Sequence, residues 1–132
     1  MSAAPAVGIV LVSHSAELAQ GAAHLAAQVS GGMVTIIAAG GTDEDDLGTS
    51  AAKVTRGLHL ADSGAGVVVL PDLGSAVLTV RAVLEDLDRQ SVLLADAPFV
   101  EGAVAATVTA AAGGDIKAVA AAAEEARHAR KL

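Results

Sequence analysis

His14 is the residue in this sequence best placed to do chemistry, because it lies where an apolar run gives way to a helix-like stretch in LVSHSAELAQG. A second polar stretch, PDLGS, follows another apolar run and contains Asp72. Neutral imidazole is a nucleophile, and a carboxylate on one ring nitrogen fixes the tautomer and frees the other nitrogen to attack. A pairing of His14 with Asp72 would therefore suit nucleophilic group transfer.

The residues beside this pair could hold a transferred phosphoryl group. Ser15 opens the helical stretch after His14, and Gly74 and Ser75 open the one after Asp72. Free N–H groups and hydroxyls at helix N-termini bind anions, here without a nearby Lys or Arg, so the group would be held loosely. Taken singly, His14 could merely end a strand and Asp72 merely cap a helix. A functional role depends on whether the fold brings the two stretches together.

The elements that would position these residues alternate between apolar runs and helical patterns. The apolar runs cover residues 7–12, 33–38, 66–70 and 91–95. Each is apolar at successive positions, which is typical of strands buried on both faces of a parallel sheet. The helical patterns cover residues 16–29, 49–61, 75–87, 100–112 and 115–130. This alternation predicts an α/β fold with an open parallel sheet of about four strands and helices on both faces.

The order of the strands decides whether His14 and Asp72 meet. In a flavodoxin-like order, 2-1-3-4, the first and third strands are neighbours, and ligands bind at the switch point beyond their carboxyl ends. His14 follows the first apolar run and Asp72 follows the third. We therefore expect the two side chains to face each other across a crevice, with Gly74 and Ser75 beside them.

The composition indicates a core of small and branched side chains. Hydrophobic residues make up 53% of the chain, and Phe99 is its single aromatic residue. Val, Leu, Ile and above all Ala must fill the interior, which suits close packing of helices on a sheet. In the first helix, Leu18, Ala22, Leu25 and Val29 form one apolar stripe, which is typical of the face that packs on the core.

Length, charge and cysteine content exclude several function classes. The 132 residues suit one domain, and the net charge of −7 argues against nucleic acid, whose binding depends on Lys and Arg. The absence of cysteine removes disulfides and thiolate metal sites. The N-terminus lacks a basic region ahead of its short apolar stretch, so we predict no signal peptide. No apolar stretch reaches the roughly 20 residues of a membrane span, and without cysteine the cytoplasm is the expected location.

Other candidate sites are weaker. His24, His59 and His128 lack zinc-ligand spacing, and we predict that all three are at the surface. The acidic stretch TDEDDLG could hold a hard cation, but such runs more often cap helices or keep a surface soluble. Because the sequence has no G-x-x-x-x-G-K-[ST] motif, any nucleotide should be bound by a partner. We expect no metal and no cofactor.

Four stretches together resemble the mannose-type enzyme IIA family of the sugar phosphotransferase system. They are LVSHSAELAQG, IAAGG followed by LGTSAAKV, VVVLPDLGSAVLTV and APFVEGAVAATVTAAAGGDI, and they cover nearly the whole chain. Two of their segments, DLGSA and VEGAVAATV, are similar to the branch that contains the phosphotransferase subunits of phosphoenolpyruvate-dependent dihydroxyacetone kinases.

The resemblance implies that the histidine matching His14 takes a phosphoryl group from a histidine phosphocarrier protein (HPr), and ultimately from phosphoenolpyruvate. It implies that the group then passes to ADP bound in a second kinase subunit (DhaL), and that the regenerated ATP phosphorylates dihydroxyacetone on a third. Asp72 matches the acidic residue near that histidine. The family also implies a homodimer, and a one-domain chain of this kind would need a separate donor.

Two other functions fit parts of the pattern. Small tetrapyrrole metal chelatases also begin with a strand that ends in a histidine, but that histidine is commonly followed by Gly-Ser, whereas Ser15 follows here and no second histidine ends a strand. A non-enzymatic binding module stays open because a fold does not fix a function. A histidine phosphatase would need an arginine at the position of Ser13.

Overall fold

The computed structural model describes residues 5–87 and 91–132, in which strands and helices alternate as the apolar runs predict. The strands are β1 (Gly8–Ser13), β2 (Ile36–Gly40), β3 (Val67–Pro71) and β4 (Val92–Leu94). The helices are α1 (Ala16–Ser30), α2 (Ala51–Ala61), α3 (Gly74–Asp86), α4 (Phe99–Ala111) and α5 (Ile116–Glu125), with a 3-10 turn at Ala126–His128. The strands pair in parallel in the order β2-β1-β3-β4, which confirms the predicted fold class.

The two central strands, β1 and β3, are buried along their whole length. On one face of the sheet, Ile9 and Leu11 pack in a cluster with α1, α4 and α5. On the other face, Val10 and Val12 pack with α2 and α3. A strand covered on both sides needs apolar side chains at successive positions, which is why β1 and β3 read as unbroken apolar runs.

The predicted buried stripe of α1 is wrong except at Ala22. Leu18, Leu25 and Val29 are roughly half exposed. The buried residues of this helix are Ala19, Ala22 and Ala26. Ala22 and Ala26 pack in one cluster with the alanines of α4, and only small side chains allow helices to approach each other and the sheet this closely. The larger residues of α1 therefore lie on the face of the helix that is turned toward solvent.

Several element boundaries differ from the predicted ones. The second strand begins at Ile36 instead of residue 33, because Gly31 and Gly32 adopt positive φ and the turn after α1 uses the next residues. The last helix ends at Glu125 instead of residue 130, since Arg127 bonds back to Glu124 and to the β4–α4 connection at Asp96. β1 and β3 each extend one residue further than predicted, toward the edge that carries the polar stretches.

Pro71 ends β3 in the middle of the sheet, where proline is rare because it has no N–H for a ladder hydrogen bond. The N–H groups along β3 alternate between its two neighbours, and that of Asp72 donates to Val12 in β1 at 3.0 Å. The nitrogen of Pro71 therefore faces β4, where strand pairing already ends at Val69. The proline removes no hydrogen bond to β1, so Asp72 stays in register with the strand that leads to His14.

None of the helices in residues 5–87 and 91–132 is both long enough and apolar enough to cross a membrane.

Candidate active site

His14 lies directly after β1, and its backbone is fixed from two sides. Its N–H donates to Asp72 Oδ2 at 3.1 Å, and its carbonyl accepts from the N–H of Gly48 at 2.9 Å. The side chain is 24% exposed, so the ring is partly packed and yet open to a partner. The strand end, the segment after β3 and the β2–α2 loop therefore all meet at this one residue.

Asp72 holds the ring of His14 through a hydrogen bond of 2.9 Å between Oδ1 and Nδ1. The Ser13 hydroxyl donates to Oδ2 at 2.8 Å, and the N–H of Leu73 donates to Oδ1 at 2.7 Å. Burial raises the pKa of Asp72, but the hydrogen bonds from Ser13, His14 and Leu73 outweigh it and hold this pKa below its ordinary value. The carboxyl group is therefore ionised at neutral pH.

The ionised state of Asp72 determines the tautomer of His14. A carboxylate can only accept hydrogen bonds, so the proton between the two groups belongs to Nδ1 of the neutral ring. Nε2 then carries the lone pair, and the Ser75 hydroxyl lies in hydrogen-bond contact with it. With Nδ1 protonated, this hydroxyl is the donor and Nε2 the acceptor. Nε2 thus points away from Asp72 and toward the start of α3.

The first turn of α3 presents N–H groups beside that nitrogen. Leu73 is the N-cap residue and makes no side-chain cap, so Asp72 is not the cap of this helix. In the described part of the chain, the N–H groups of Gly74 and Ser75 have no hydrogen-bond acceptor. Such groups at the start of a 13-residue helix suit an anionic ligand. A cleft of about 710 Å³ lies next to them, lined in part by Asp72, Gly74 and Arg81.

Two serines flank His14 and have different roles in the structure. The Ser15 hydroxyl caps α1 by accepting from the N–H of Leu18 at 3.1 Å, and among the described residues it makes no hydrogen bond to the His14 ring. Ser13 is fully buried, donates to Asp72 and accepts from the N–H of Ser15 at 3.0 Å. Sequence reasoning missed Ser13 as a site residue. Its signal was a hydroxyl at the end of an otherwise apolar strand.

The acidic β2–α2 loop makes contacts within the protein. Asp43 accepts from the hydroxyl of Ser50, the N-cap of α2, and Asp45 pairs with Lys53. No group of three or more His, Asp or Glu side chains in residues 5–87 and 91–132 is arranged to hold a metal ion. His24, His59 and His128 are exposed, as predicted.

Comparison with known proteins identifies relatives along most of the chain. The family model described as PTS system fructose IIA component, EIIA-man, matches residues 8–120. A crystal structure of a protein of unknown function superposes with a TM-score of 0.83 at 32% identity, covering 96% of this chain and 97% of that one. A sigma-54 interaction domain protein from Enterococcus faecalis shares the fold alone, with a TM-score of 0.63 at 14% identity over 89% of this chain and 87% of its own.

Curated relatives are phosphoryl donor subunits named DhaM. That of the PEP-dependent dihydroxyacetone kinase of Pantoea ananatis is 42% identical over 119 residues, which are 86% of this chain but 25% of the relative. This chain therefore spans about a quarter of the length of that protein. The subunit of the PEP-dependent dihydroxyacetone kinase 2 of Listeria innocua is 35% identical over 105 residues, 77% of this chain and 84% of the relative. The Lactococcus lactis subunit is 31% identical over 112 residues, 85% and 89% of the two chains.

The family model covers far more than half of the chain. The shorter relatives, from Listeria innocua and Lactococcus lactis, match this chain over most of their own length. The residues matched by the family model run from β1 into α5. The chain thus belongs to the EIIA-man family, in which its curated relatives carry the name DhaM.

Proposed function

We propose that this protein is a phosphohistidine carrier in which Nε2 of His14 is the nucleophile. The observation that carries the proposal is the hydrogen bond of 2.9 Å between Nδ1 and the ionised Asp72, because it leaves the lone pair on Nε2. Nε2 faces the Ser75 hydroxyl and the free N–H groups of α3, where a phosphoryl group needs donors. Asp72 orients the ring and stabilises the positive charge that develops on it.

In the accepting step, the lone pair of Nε2 forms a bond to phosphorus while the bond from phosphorus to the donor's histidine nitrogen breaks. The donor imidazole leaves with its electron pair, and the proton on Nδ1 of His14 stays beside Asp72. The Ser75 hydroxyl turns from Nε2 to an oxygen of the incoming group. In the second step, an oxygen of the terminal phosphate of ADP attacks the same phosphorus, and Nε2 recovers its lone pair.

The partners follow from the chemistry together with the names of the relatives. We propose HPr as the donor and ADP bound in the kinase subunit DhaL as the acceptor, since this sequence has no P-loop of its own. Phosphoenolpyruvate is the ultimate source, and dihydroxyacetone is the final acceptor, as in the kinases to which the relatives are assigned. We propose the cytoplasm as the common location of this protein and those partners.

The phosphoryl group would be held by a few neutral donors. Ser75 touches Nε2, and the N–H groups of Gly74 and Ser75 lie at the positive end of the α3 dipole. Ser15 can donate its hydroxyl proton to the phosphoryl group while it accepts from Leu18. Lys53, on the β2–α2 side of the site, is already engaged by Gly40 and Asp45. Because the groups that meet Nε2 and open α3 are neutral, the phosphoryl group stays easy to pass on.

A homodimer is also proposed. The half-exposed side chains of Leu18, Leu25 and Val29 form an apolar strip along α1, and Met33 continues it with 71% exposure. Burial of such a strip against a second copy would remove apolar surface from water. The molar mass from light scattering, compared between the parent and a Leu25→Glu variant, tests this directly. A monomeric parent would contradict it.

The phosphoryl-acceptor role is tested by incubation with phosphoenolpyruvate, enzyme I and HPr, followed by intact mass spectrometry. We expect one phosphoryl group on the parent and none on His14→Ala. His24→Ala is the matched control, because His24 is exposed on α1 and makes no hydrogen bond among the described residues. Addition of DhaL and ADP should then remove the group and form ATP. An His14→Ala protein that is folded and still phosphorylated would refute the assignment.

A further inference from the structure

The Ser75 residue that faces His14 is restrained by two threonines on its other side. Thr79 donates its hydroxyl proton to the Ser75 carbonyl at 3.2 Å, one turn back along α3. The hydroxyl of Thr49 lies 2.7 Å from that of Thr79. Each hydroxyl has a single proton, so Thr49 donates to Thr79 when Thr79 donates to Ser75. The three residues form one directed chain of hydrogen bonds.

This chain leads back to His14 through the β2–α2 loop. Thr49 follows Gly48, whose N–H donates to the His14 carbonyl at 2.9 Å. The Ser75 hydroxyl meets Nε2 of the same histidine. The contacts therefore form a closed network. It runs from the His14 backbone through the loop and both threonines to Ser75, and from Ser75 to the imidazole. This network connects β1, the β2–α2 loop and α3 around the nucleophile.

We propose that Thr49 and Thr79 are positioning residues for phosphoryl transfer. They fix the first turn of α3 so that the Ser75 hydroxyl and the free N–H groups stay aligned with Nε2, and neither threonine touches the imidazole. The inference rests on the proposed function of His14. When Ser75 turns its hydroxyl toward the phosphoryl group, its carbonyl remains anchored by Thr79, so the backbone donors do not move with it. A displacement of these donors by a fraction of an ångström would slow the transfer.

The test compares Thr79→Val and Thr49→Val, which remove the hydroxyls with little change in shape, with Thr79→Ser, which keeps the hydroxyl. Transfer from phosphorylated HPr is measured in single turnovers over a range of HPr concentrations. We expect either valine variant to lower the maximal rate constant about fivefold, the value of one lost hydrogen bond, while the half-saturating HPr concentration is unchanged. Thr79→Ser should transfer at close to the parent rate.

Thr55→Val is the matched control, because Thr55 is half-buried on α2 and its hydroxyl has no partner among the described residues. The double variant Thr49→Val, Thr79→Val should be no slower than the worse single variant, since both hydroxyls act through one chain. Additive losses, or a Thr79→Ser protein as slow as Thr79→Val, would overturn the proposal. Valine variants that transfer at the parent rate would overturn it as well.

A second readout does not require phosphoryl transfer. Hydrogen exchange of the Gly48 N–H in the unphosphorylated protein should be faster in both valine variants than in the parent, Thr79→Ser or Thr55→Val, because Thr49 restrains its neighbour. Unchanged exchange would show that the threonines do not hold the loop. A parent protein that accepts no phosphoryl group would instead contradict the proposed function itself. Failure of the positioning role and failure of the carrier role therefore give different results.

Discussion

Replacement of Asp72 by Asn tests the role of the carboxylate directly, because both of its oxygens accept hydrogen bonds. Oδ2 receives the Ser13 hydroxyl and the His14 N–H, and Oδ1 receives Nδ1 of His14 and the N–H of Leu73. An amide has one accepting oxygen and one donating NH2 group. In either orientation, the NH2 group of Asn faces a backbone N–H that cannot accept.

The two orientations differ in cost. With the NH2 group toward Ser13 and the His14 N–H, the part-buried His14 N–H loses its acceptor, at about 1–3 kcal/mol. With the NH2 group toward the ring, the lost partner is the N–H of Leu73, which is exposed and can bond to water. Asn should therefore adopt the second orientation, in which Nδ1 must accept and the ring proton moves to Nε2. That tautomer has no lone pair on the attacking nitrogen.

We expect Asp72→Asn to fold, to lose about 1–2 kcal/mol of unfolding free energy and to slow phosphoryl transfer by about 10²- to 10⁴-fold. Single-turnover transfer from phosphorylated HPr measures the rate, and nitrogen NMR of the His14 ring reports the tautomer. Asp96→Asn is the control, because that side chain lines the same cleft but is 95% exposed. An Asn variant that transfers at the parent rate, with the proton still on Nδ1, would refute this reasoning.

The same carboxylate should make stability depend on acid. Hydrogen bonds from Ser13, His14 and Leu73 hold the pKa of Asp72 below its unfolded value despite the opposing effect of burial. Its ionised form therefore stabilises the fold fully above the unfolded pKa, and this contribution is lost as the pH falls through the lower folded pKa. Urea unfolding at neutral pH and in acid measures the difference in unfolding free energy between the parent and Asp72→Asn. We expect this difference to shrink in acid. A difference that does not change with pH would contradict the assigned ionisation.

Gly40→Ala should cost about 2 kcal/mol or more in urea unfolding and slow transfer, because its Cβ would lie 2.5 Å from the Ser15 carbonyl oxygen and 2.8 Å from Ala16 Cα. Gly74→Ala should keep its transfer rate and gain up to about 1 kcal/mol, since a Cβ there meets no atom within 4 Å and alanine favours the helix. Ser15→Ala should lose about 1 kcal/mol of stability as a missing cap, with a smaller fall in transfer rate than Ser75→Ala, because the Ser75 hydroxyl meets Nε2 whereas the Ser15 hydroxyl caps α1. Urea midpoints and single-turnover rates check all three, and a stable Gly40→Ala or a slow Gly74→Ala would contradict the geometry.

The fold and the meeting of His14 with Asp72 could be predicted because both depend on the order of buried strands. Unbroken apolar runs identify central parallel strands, and the switch between the first and third strands places their following residues at one edge. The role of Ser13 could not be predicted, since its burial depends on β1 extending one residue further than the apolar pattern. The buried face of α1 could not be predicted, because a hydrophobicity pattern assigns Leu rather than Ala to the core, whereas the space beside α4 admits only Ala.

The hydrogen-bond donors around the Asp72 carboxylate matter for the proposed carrier because the phosphoryl group is negatively charged. A phosphoryl group brought to Nε2 places negative charge near a carboxylate, and like charges raise a carboxyl pKa. A carboxylate that took up a proton would stop holding Nδ1–H, and the ring would lose its fixed tautomer. The Ser13 hydroxyl and two backbone N–H groups oppose this, because each favours the ionised form. In the proposed carrier, their role is therefore to keep Asp72 charged while the phosphoryl group is bound, so that Nε2 can release it.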